Sequence, residues 1–246
     1  MKFLNDFKIE YRCLDCDLRN SSFFCNFSPP TLQMFEGIKI TNTYPKGSCL
    51  FIEGQPSNGI FMLCRGRVKM TTHSRNGKAL ILRVAVPGEV LGLSAAISDS
   101  VNETTATVIE PCQVNFIRKS DFYRFLEQNA DAGMNAIQQL SIQYKQAYTQ
   151  IRSLGLSTCV ADKLATLFLE WSKDAPSSNG SVQLKISFSH EEIAEMIGTS
   201  RETVTRLLKD FRERDLISIK GSDLYIRNKH KLEATIGNGR KTKPVR

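Results

Sequence analysis

The spacing of apolar residues changes twice along the chain. From about residue 40 to about residue 118, short apolar runs such as residues 49–52 and 60–63 alternate with glycine-containing turns. Strands at this regular spacing are typical of a small β-sandwich or barrel. Asn76-Gly77 predicts a type I′ hairpin turn, because both central residues of that turn need positive φ. The first half of the chain is therefore predicted to be a β-rich domain.

Beyond residue 120 the spacing becomes helical. Apolar residues recur there at alternating gaps of three and four on an otherwise polar segment: Ile137, Leu140, Tyr144, Ala147, Ile151 and Leu154. A repeat of about 3.5 residues is typical of a two-helix coiled-coil seam, whereas a helix packed on its own domain usually shows a wider apolar face. We therefore predict a dimerisation helix over residues 127–154, with a hinge at residues 153–156.

Two short capped helices are predicted near the C-terminus. Ser189 and Glu192 have the spacing of a capping box, and Thr199 and Glu202 have the spacing of a second one. Gly198 supplies a tight turn between them. Two short helices about such a turn predict a helix-turn-helix.

A β-hairpin is predicted after the second of these helices. Residues 216–220 and 224–226 are apolar at alternate positions and flank Gly221-Ser222. The hairpin would form the wing of a winged helix-turn-helix. A segment rich in Ser, Pro, Asn and Gly, residues 173–181, predicts a loop before the motif.

The polar face of the second helix is the candidate DNA contact. We predict that the contacts come from Ser200, Arg201, Glu202, Thr205, Arg206 and Lys209. Residues near the start of such a helix reach base edges in the major groove. Arginine can donate two hydrogen bonds to guanine, and glutamate can accept one from cytosine.

Composition and charge bear on the membrane, on localisation and on nucleic-acid binding. The chain is 41% hydrophobic and 24% charged, and no apolar stretch is long enough to span a bilayer. The N-terminus does not read as a secretory signal, so we expect a cytoplasmic protein with no membrane partner. The net charge is +8, but residues 227–246 hold seven Lys or Arg and one Glu, so charge alone does not predict nucleic-acid binding.

Seven cysteines make a disulfide framework unexpected. Cys13, Cys16 and Cys25 are spaced closely enough to hold an iron–sulfur cluster or zinc, and redox-active thiols or no chemistry are the alternatives. A thiol oxidoreductase would need Cys-x-x-Cys at a helix start in a βαβ context, which does not follow here. We therefore predict that the protein is not an enzyme.

Residues 198–209 followed by residues 216–218 resemble the signature of the cAMP receptor protein/FNR (Crp/Fnr) superfamily of bacterial transcription regulators. The resemblance covers nearly the whole chain. It implies an α+β fold with an N-terminal cyclic-nucleotide-binding-like β-roll, a long coiled-coil dimerisation helix and a C-terminal winged helix-turn-helix. It also implies a homodimer that binds an inverted repeat in double-stranded DNA, with RNA polymerase as a partner. Arg201, Glu202 and Arg206 are similar to the cAMP receptor protein subgroup, which implies a TGTGA-like half-site.

The same resemblance supplies candidate sensor residues. The effector pocket would include Gly88, Glu89, Gly92, Thr104 and Thr105. Leu93 and Thr104 stand where cAMP-binding members carry a Glu and an Arg, so the cyclic phosphate would lack its counter-ion. We do not expect cAMP to bind through the usual contacts, and the effector is left open.

Oxygen-sensing FNR members carry an N-terminal cysteine cluster and one distant cysteine in the β-roll. The resemblance implies a metal-ligand set of Cys13, Cys16, Cys25 and Cys112. Three other cysteines remain alternative fourth ligands, although each lies in an apolar run that favours a buried structural thiol: Cys49, Cys64 and Cys159.

We expect five segments. Residues 1–30 form a cysteine-bearing N-terminal segment, residues 31–126 the β-roll sensor domain, and residues 127–154 the dimerisation helix. Residues 155–228 form the winged helix-turn-helix DNA-binding domain, and residues 229–246 a basic tail.

Overall fold

A computed structural model describes residues 12–19, 22, 24–156, 159–172, 177–178, 181–185, 188–220 and 223–236. The chain divides into two compact units, residues 1–146 and residues 147–246. In the described residues, no helix is long and apolar enough to cross a membrane.

The first unit is built on one antiparallel sheet of six strands. The strands are β1 (Lys39–Tyr44), β2 (Cys49–Phe51), β3 (Gly59–His73), β4 (Ala79–Ala85), β5 (Val90–Leu91) and β6 (Thr105–Arg118). The order is β1-β6-β3-β4, with β2 paired to β6 and β5 paired to β3. The two longest strands, β3 and β6, pair along most of their length and form the centre of the sheet.

Three helices and a 3₁₀ turn are the other elements described before residue 129. They are a 3₁₀ turn at Cys13–Asp15, α1 (Pro29–Ile38), α2 (Leu93–Ile97) and α3 (Lys119–Gln128). Helix α1 begins at the proline pair, because proline is tolerated in the first turn of a helix. The Ser28 hydroxyl caps it by accepting a hydrogen bond of 3.4 Å from the backbone N–H of Thr31.

The sheet separates two hydrophobic clusters, because side chains alternate between its faces. The cluster on one face, here called the outer cluster, contains Met62 and Ile117 together with Phe residues from α1, α3 and the N-terminal segment. The cluster on the opposite face, here called the inner cluster, contains Leu63 and Val114. Odd-numbered residues near the end of β6 therefore face the outer cluster, and even-numbered residues face the inner cluster.

The β3–β4 hairpin does not have the predicted type I′ turn. Gly77 has a φ of 76°, whereas Asn76 does not have positive φ. The N–H of Gly77 donates to the carbonyl of Ser74, and the N–H of Ser74 donates to the carbonyl of Lys78, both at 2.9 Å. A three-residue loop of this kind needs one left-handed residue only, which the glycine supplies.

Helix α4 (Ala130–Leu156) is the longest helix among the described residues and runs across the boundary between the two units. The predicted hinge at residues 153–156 is helical in the structure, so the apolar pattern is interrupted there without a break in the backbone.

The second unit combines four helices with a small sheet. Its elements are α5 (Val160–Trp171), β7 (Ser177–Ser178), β8 (Ser181–Lys185), α6 (His190–Ile197), α7 (Arg201–Glu213), β9 (Ile217–Lys220), β10 (Asp223–Ile226) and α8 (Lys229–Glu233). The strand order is β7-β8-β10-β9. The loop predicted over residues 173–181 was therefore wrong in part, because β7 and the start of β8 lie within it. Val182 and Leu184 bury their side chains and pair with β10, which fixes β8 in the sheet.

Candidate nucleic-acid interface and sensor residues

The turn between α6 and α7 is set by local capping. The Ser189 hydroxyl accepts a hydrogen bond of 3.2 Å from the N–H of Glu192, and the Glu192 carboxylate accepts one of 3.0 Å from the N–H of Ser189. This reciprocal pair is the predicted capping box. Gly198 ends α6 with a φ of 69°, a left-handed conformation that suits glycine.

The cap of α7 lies one residue later than predicted. The Ser200 hydroxyl accepts from the N–H of Thr203 at 3.3 Å, and the helix begins at Arg201. The predicted capping box at Thr199 was wrong, because the N–H of Thr199 bonds to the carbonyl of Ala194 and closes the end of α6. Ser200, predicted as a DNA contact, therefore has a structural role at the helix start.

The two faces of α7 differ sharply. Val204, Leu208 and Phe211 are buried on one face. The exposed side chains on the other face line one open concave surface, here called the α7 face: Arg201, Glu202, Thr205, Arg206 and Lys209. The structure thus brings five of the six predicted DNA contacts onto a single surface.

The α7 face carries three cations and one carboxylate. The pKa of Glu202 lies below its usual value because its own backbone N–H and the Ser200 hydroxyl donate hydrogen bonds to the carboxylate, and Arg201 adds a favourable charge. Glu202 therefore stays an ionised hydrogen-bond acceptor at neutral pH. Lys209 lies 3.7 Å from Glu213 in an exposed ion pair on the same helix.

Strands β9 and β10 form the predicted hairpin after α7. Ile217 pairs with Ile226, and Lys220 pairs with Asp223. The predicted tip, residues 221–222, lies outside the described residues.

One contact of the α7 face was not predicted. The Nδ1 atom of His190, the first residue of α6, lies 2.9 Å from the Oγ1 atom of Thr205 on α7. The two residues are fifteen positions apart and meet only through the angle between the helices, so no local sequence pattern could have indicated the contact.

The N-terminal cysteines lie against the outer cluster. The Lys39 ammonium donates to the Cys13 thiol at 3.0 Å, and burial raises the pKa of Cys13. Cys25 is buried, which raises its pKa to about 12, and the charges of Cys16 and Cys13 act in the same direction. Both Cys13 and Cys25 contact the outer cluster.

Cys112 does not join them. It is an even-numbered residue of β6, and its side chain belongs to the inner cluster on the opposite face of the sheet. Its thiol donates to the carbonyl of Glu110 at 3.0 Å, and burial raises its pKa to about 11. The predicted set of Cys13, Cys16, Cys25 and Cys112 is therefore not assembled.

Cys64 is the cysteine of β3 that faces the N-terminal cysteines. The side-chain amide of Asn115, on the outer face of β6, donates to its thiol at 3.2 Å. Burial raises the pKa of Cys64 to about 12, and the charges of Cys13, Cys25 and Cys16 contribute to the shift. As placed, however, no group of three or more His, Cys, Asp or Glu side chains in the described residues could hold a metal ion. The residues present do not fit a preformed cluster site.

The predicted effector-pocket residues fall in two places on the β-roll. Gly88 and Glu89 lie in the turn between β4 and β5. The Ser22 hydroxyl donates to the carbonyl of Gly88, and the Glu89 carboxylate forms an ion pair with Arg83. Glu89 is thus engaged with a cation of the protein itself.

Gly92 and Thr105 lie beside β2. A side chain at Gly92 would contact Phe51, and the Thr105 hydroxyl accepts a hydrogen bond of 3.0 Å from the N–H of Glu53. A hydrogen bond from Thr72 lowers the pKa of Glu53, so that its carboxylate is ionised at neutral pH. The Glu53 carboxylate is thus a negative charge on the residue that makes this contact, and it disfavours an anionic phosphate nearby.

Leu93 and Thr104 stand at the two positions where the expected phosphate-binding charges are missing. Neither residue can supply such a charge in another way. Leu93 is buried in the outer cluster. Thr104 is half-buried and follows Glu103, whose carboxylate accepts a hydrogen bond of 2.8 Å from Ser94.

Helix α4 exposes an apolar stripe, here called the α4 stripe: Met134, Ile137, Tyr144, Tyr148 and Ile151. The predicted seam differs from it in part. Leu140 packs against the outer cluster of its own unit, Ala147 is exposed, and the side chain of Leu154 lies outside the described residues. Met134 and Tyr148 were missed because the predicted seam was centred on the side of the helix that includes Leu140.

Comparison with known families and proteins agrees with this architecture. A model of the cyclic nucleotide-binding domain matches residues 41–129, and a model of the Crp-like helix-turn-helix domain matches residues 162–235. Together they take in more than half of the chain. They confirm the predicted α+β fold with an N-terminal β-sheet domain of the cyclic nucleotide-binding type and a C-terminal helix-turn-helix.

The chain is 25% identical over 198 residues to the cAMP-activated global transcriptional regulator CRP of Pasteurella multocida, covering 80% of this chain and 94% of that protein. It is 24% identical over 193 residues to the global nitrogen regulator of Synechocystis, covering 77% and 85%. Both relatives are regulators, which confirms the prediction that the chain is not an enzyme.

Among solved structures, the c-di-GMP responsive global regulator CLP of Xanthomonas campestris superposes with a TM-score of 0.71 at 22% identity, covering 81% of this chain and 99% of that one. FixK2 of Bradyrhizobium japonicum superposes with a TM-score of 0.70 at 20% identity, covering 80% and 96%. These likenesses concern the fold.

Proposed function

Because the chain belongs to the Crp/Fnr superfamily of DNA-binding transcription regulators, we propose that it acts as a cytoplasmic homodimer that binds an inverted-repeat site in double-stranded DNA and contacts RNA polymerase. The observation that carries this proposal is the α7 face, where three cations and an ionised carboxylate lie along the first turns of a well-capped helix. A helix presented in this way can enter the major groove, with its first turn at the base edges.

Each charged residue of the first turns has a separate role in the proposal. Arg201 donates two hydrogen bonds to a guanine, and Glu202 accepts one from a cytosine amino group. Arg206 lies one turn further along the helix and contacts a second guanine, which is consistent with a TGTGA-like half-site. Lys209 lies two turns from the helix start and neutralises a phosphate, which adds affinity without specificity.

The α4 stripe supports a dimer. Five exposed apolar side chains along one face of a long helix would leave a continuous apolar surface in water in a monomer, and a second copy of the helix covers it in a coiled coil. A symmetric pair presents two copies of α7 related by a two-fold axis, which suits an inverted repeat in the DNA.

We infer that control is exerted through the β-roll or the N-terminal cysteines. The usual cAMP contacts have little support, because Leu93 and Thr104 supply no charge and Glu53 adds a negative one. An iron–sulfur cluster would need a fourth thiol on the face of the N-terminal cysteines. Cys64 lies on that face, whereas Cys112 lies on the other.

The test of the proposed function is selection from a pool of random 30-base-pair duplexes, carried out with the whole chain. Repeated rounds are expected to enrich a two-fold symmetric sequence with half-sites one turn apart. If binding falls steeply with salt and selection enriches no sequence, the protein binds DNA without sequence specificity.

The control signal is tested by anaerobic purification with a visible spectrum and analysis of iron, sulfide and zinc. A brown protein that bleaches in air and retains its iron in Cys112→Ser, but not in Cys64→Ser, would identify a cluster on the outer face. A colourless, metal-free protein would direct the search to small ligands of the β-roll.

A further inference from the structure

The hydroxyl of Thr205 is shared between two partners inside the protein. It lies 2.9 Å from the backbone carbonyl of Arg201, one turn earlier on α7, and 2.9 Å from Nδ1 of His190 on α6. The backbone carbonyl can only accept a hydrogen bond. The single hydroxyl proton of Thr205 is therefore directed to Arg201.

This assignment fixes the role of His190. A hydroxyl has one donor and two acceptor positions, and its donor is already used. The second contact can exist only if Nδ1 of His190 carries the hydrogen and donates it to Thr205. The imidazole thus holds the threonine side chain in one rotamer, and its own tautomer follows from the hydrogen-bond pattern.

Because the hydroxyl makes both internal contacts, the methyl group is the part of the Thr205 side chain left to meet a ligand of the α7 face. The residue is exposed on the α7 face, between Arg201 and Arg206, where base edges would lie. With its proton used internally, the hydroxyl cannot donate to guanine or thymine oxygens. The exposed methyl suits the C5-methyl group of thymine, which is the apolar feature of the major groove.

We propose that Thr205 reads a thymine methyl group in each half-site and that His190 is the positioning residue which makes this possible. The inference rests on the proposed function, since it assumes that the α7 face contacts DNA. It adds a specificity determinant that the charged residues of the face do not provide.

The experiment uses the duplex obtained by selection and replaces each thymine in turn by deoxyuridine, which lacks only the methyl group. Wild-type protein is expected to lose affinity about fourfold at one thymine of each half-site, which corresponds to about 0.8 kcal/mol for one methyl-sized contact. Thr205→Val carries a methyl group at both γ positions, so it presents a methyl group without help from His190 and is expected to keep the loss. Thr205→Ser keeps the hydroxyl alone and is expected to bind thymine and deoxyuridine equally at that position.

The role of His190 is tested in the same assay. His190→Ala is expected to reduce the discrimination at that thymine to below twofold, and His190→Asn, whose amide can donate near the position of Nδ1, is expected to restore it. Thermal unfolding of each variant shows whether the fold is retained.

The outcomes separate the inference from the proposed function. If wild type selects no duplex, the proposed function fails. If wild type binds the selected duplex with an affinity that no deoxyuridine changes, the proposal that Thr205 contacts a thymine methyl group is wrong. The same holds if Thr205→Ser discriminates as well as wild type. If His190→Ala discriminates as well as wild type, the positioning role is wrong.

Discussion

The side-chain amide of Gln143 on α4 donates a hydrogen bond of 3.0 Å to the backbone carbonyl of Val90 on β5. Val90 is fully buried and lies two residues before Gly92, one of the predicted pocket residues. The hydrogen bond itself is partly buried. The bond therefore joins the helix that carries the α4 stripe to the segment of the β-roll expected to respond to an effector.

Replacing Gln143 by Ala is expected to lower the free energy of unfolding by about 1 kcal/mol, because a partly buried carbonyl loses its partner. Gln146→Ala, on an exposed position of the same helix, is the matched control and is expected to change it by less than about 0.5 kcal/mol. Urea denaturation followed by circular dichroism measures both. Equal effects of the two substitutions would mean that the bond contributes nothing.

The buried thiols should react slowly in the folded protein. Cys25 and Cys64 have pKa values of about 12 and Cys112 of about 11, so the reactive thiolate is scarce at pH 8. We expect iodoacetamide at pH 8 to label exposed Cys49 before these three, and labelling of the three to rise about tenfold per pH unit up to pH 10. Peptide mass spectrometry resolves the sites.

The control for the thiol experiment is the same labelling in concentrated guanidinium chloride, where all seven cysteines are expected to react at similar rates. Rapid labelling of Cys64 in the folded protein at pH 8 would contradict the raised pKa of its thiol.

A charge in the α4 stripe should prevent dimerisation without unfolding the chain. Ile151 is 67% exposed, so Ile151→Glu disturbs no core, but it places a carboxylate in the proposed coiled-coil seam. Sedimentation velocity is expected to show a monomer. Thermal unfolding is expected to show an unchanged transition for the β-roll. Gln138→Glu, at an exposed position outside the stripe, is the control and is expected to remain dimeric. A dimeric Ile151→Glu protein would place the interface elsewhere.

The bulged pairing of β3 with β6 depends on Gly66. Its φ is +84°, and a Cβ atom there would lie 2.3 Å from the carbonyl oxygen of Pro111 and 2.7 Å from the thiol sulfur of Cys112. Gly66→Ala is expected to destabilise the fold by about 3 kcal/mol. Gly47 has a φ of +91° with nothing within 4 Å, so Gly47→Ala is expected to cost about 1 kcal/mol. Denaturant unfolding compares the two, and similar losses would contradict the close approach.

The parts of the fold that depend on neighbouring residues were predictable from the sequence. The Ser189–Glu192 capping box forms as predicted, because both its hydrogen bonds join residues three positions apart. The prediction of a type I′ turn at Asn76 was wrong. The register of β3 on β4 decides the length of the loop, and a dipeptide does not determine that register.

The parts that depend on distant pairing were not predictable. Cys64 and Cys112 both lie in apolar runs, and only the alternation of faces in paired strands places them on opposite sides of the sheet. The contact between His190 and Thr205 likewise depends on the angle between α6 and α7. Sequence reasoning found the charged residues of the α7 face because helical spacing alone brings them together.

The most direct test of the central claim compares the affinity of wild type and Arg201→Ala for the selected duplex and for a scrambled duplex, by fluorescence anisotropy at fixed salt. Wild type is expected to prefer the selected duplex by at least about 10³-fold. Arg201→Ala is expected to lose about 1–3 kcal/mol on the selected duplex and to accept a different base at one position of each half-site. Equal wild-type affinity for both duplexes, or unchanged base preference in Arg201→Ala, would contradict sequence-specific recognition through α7.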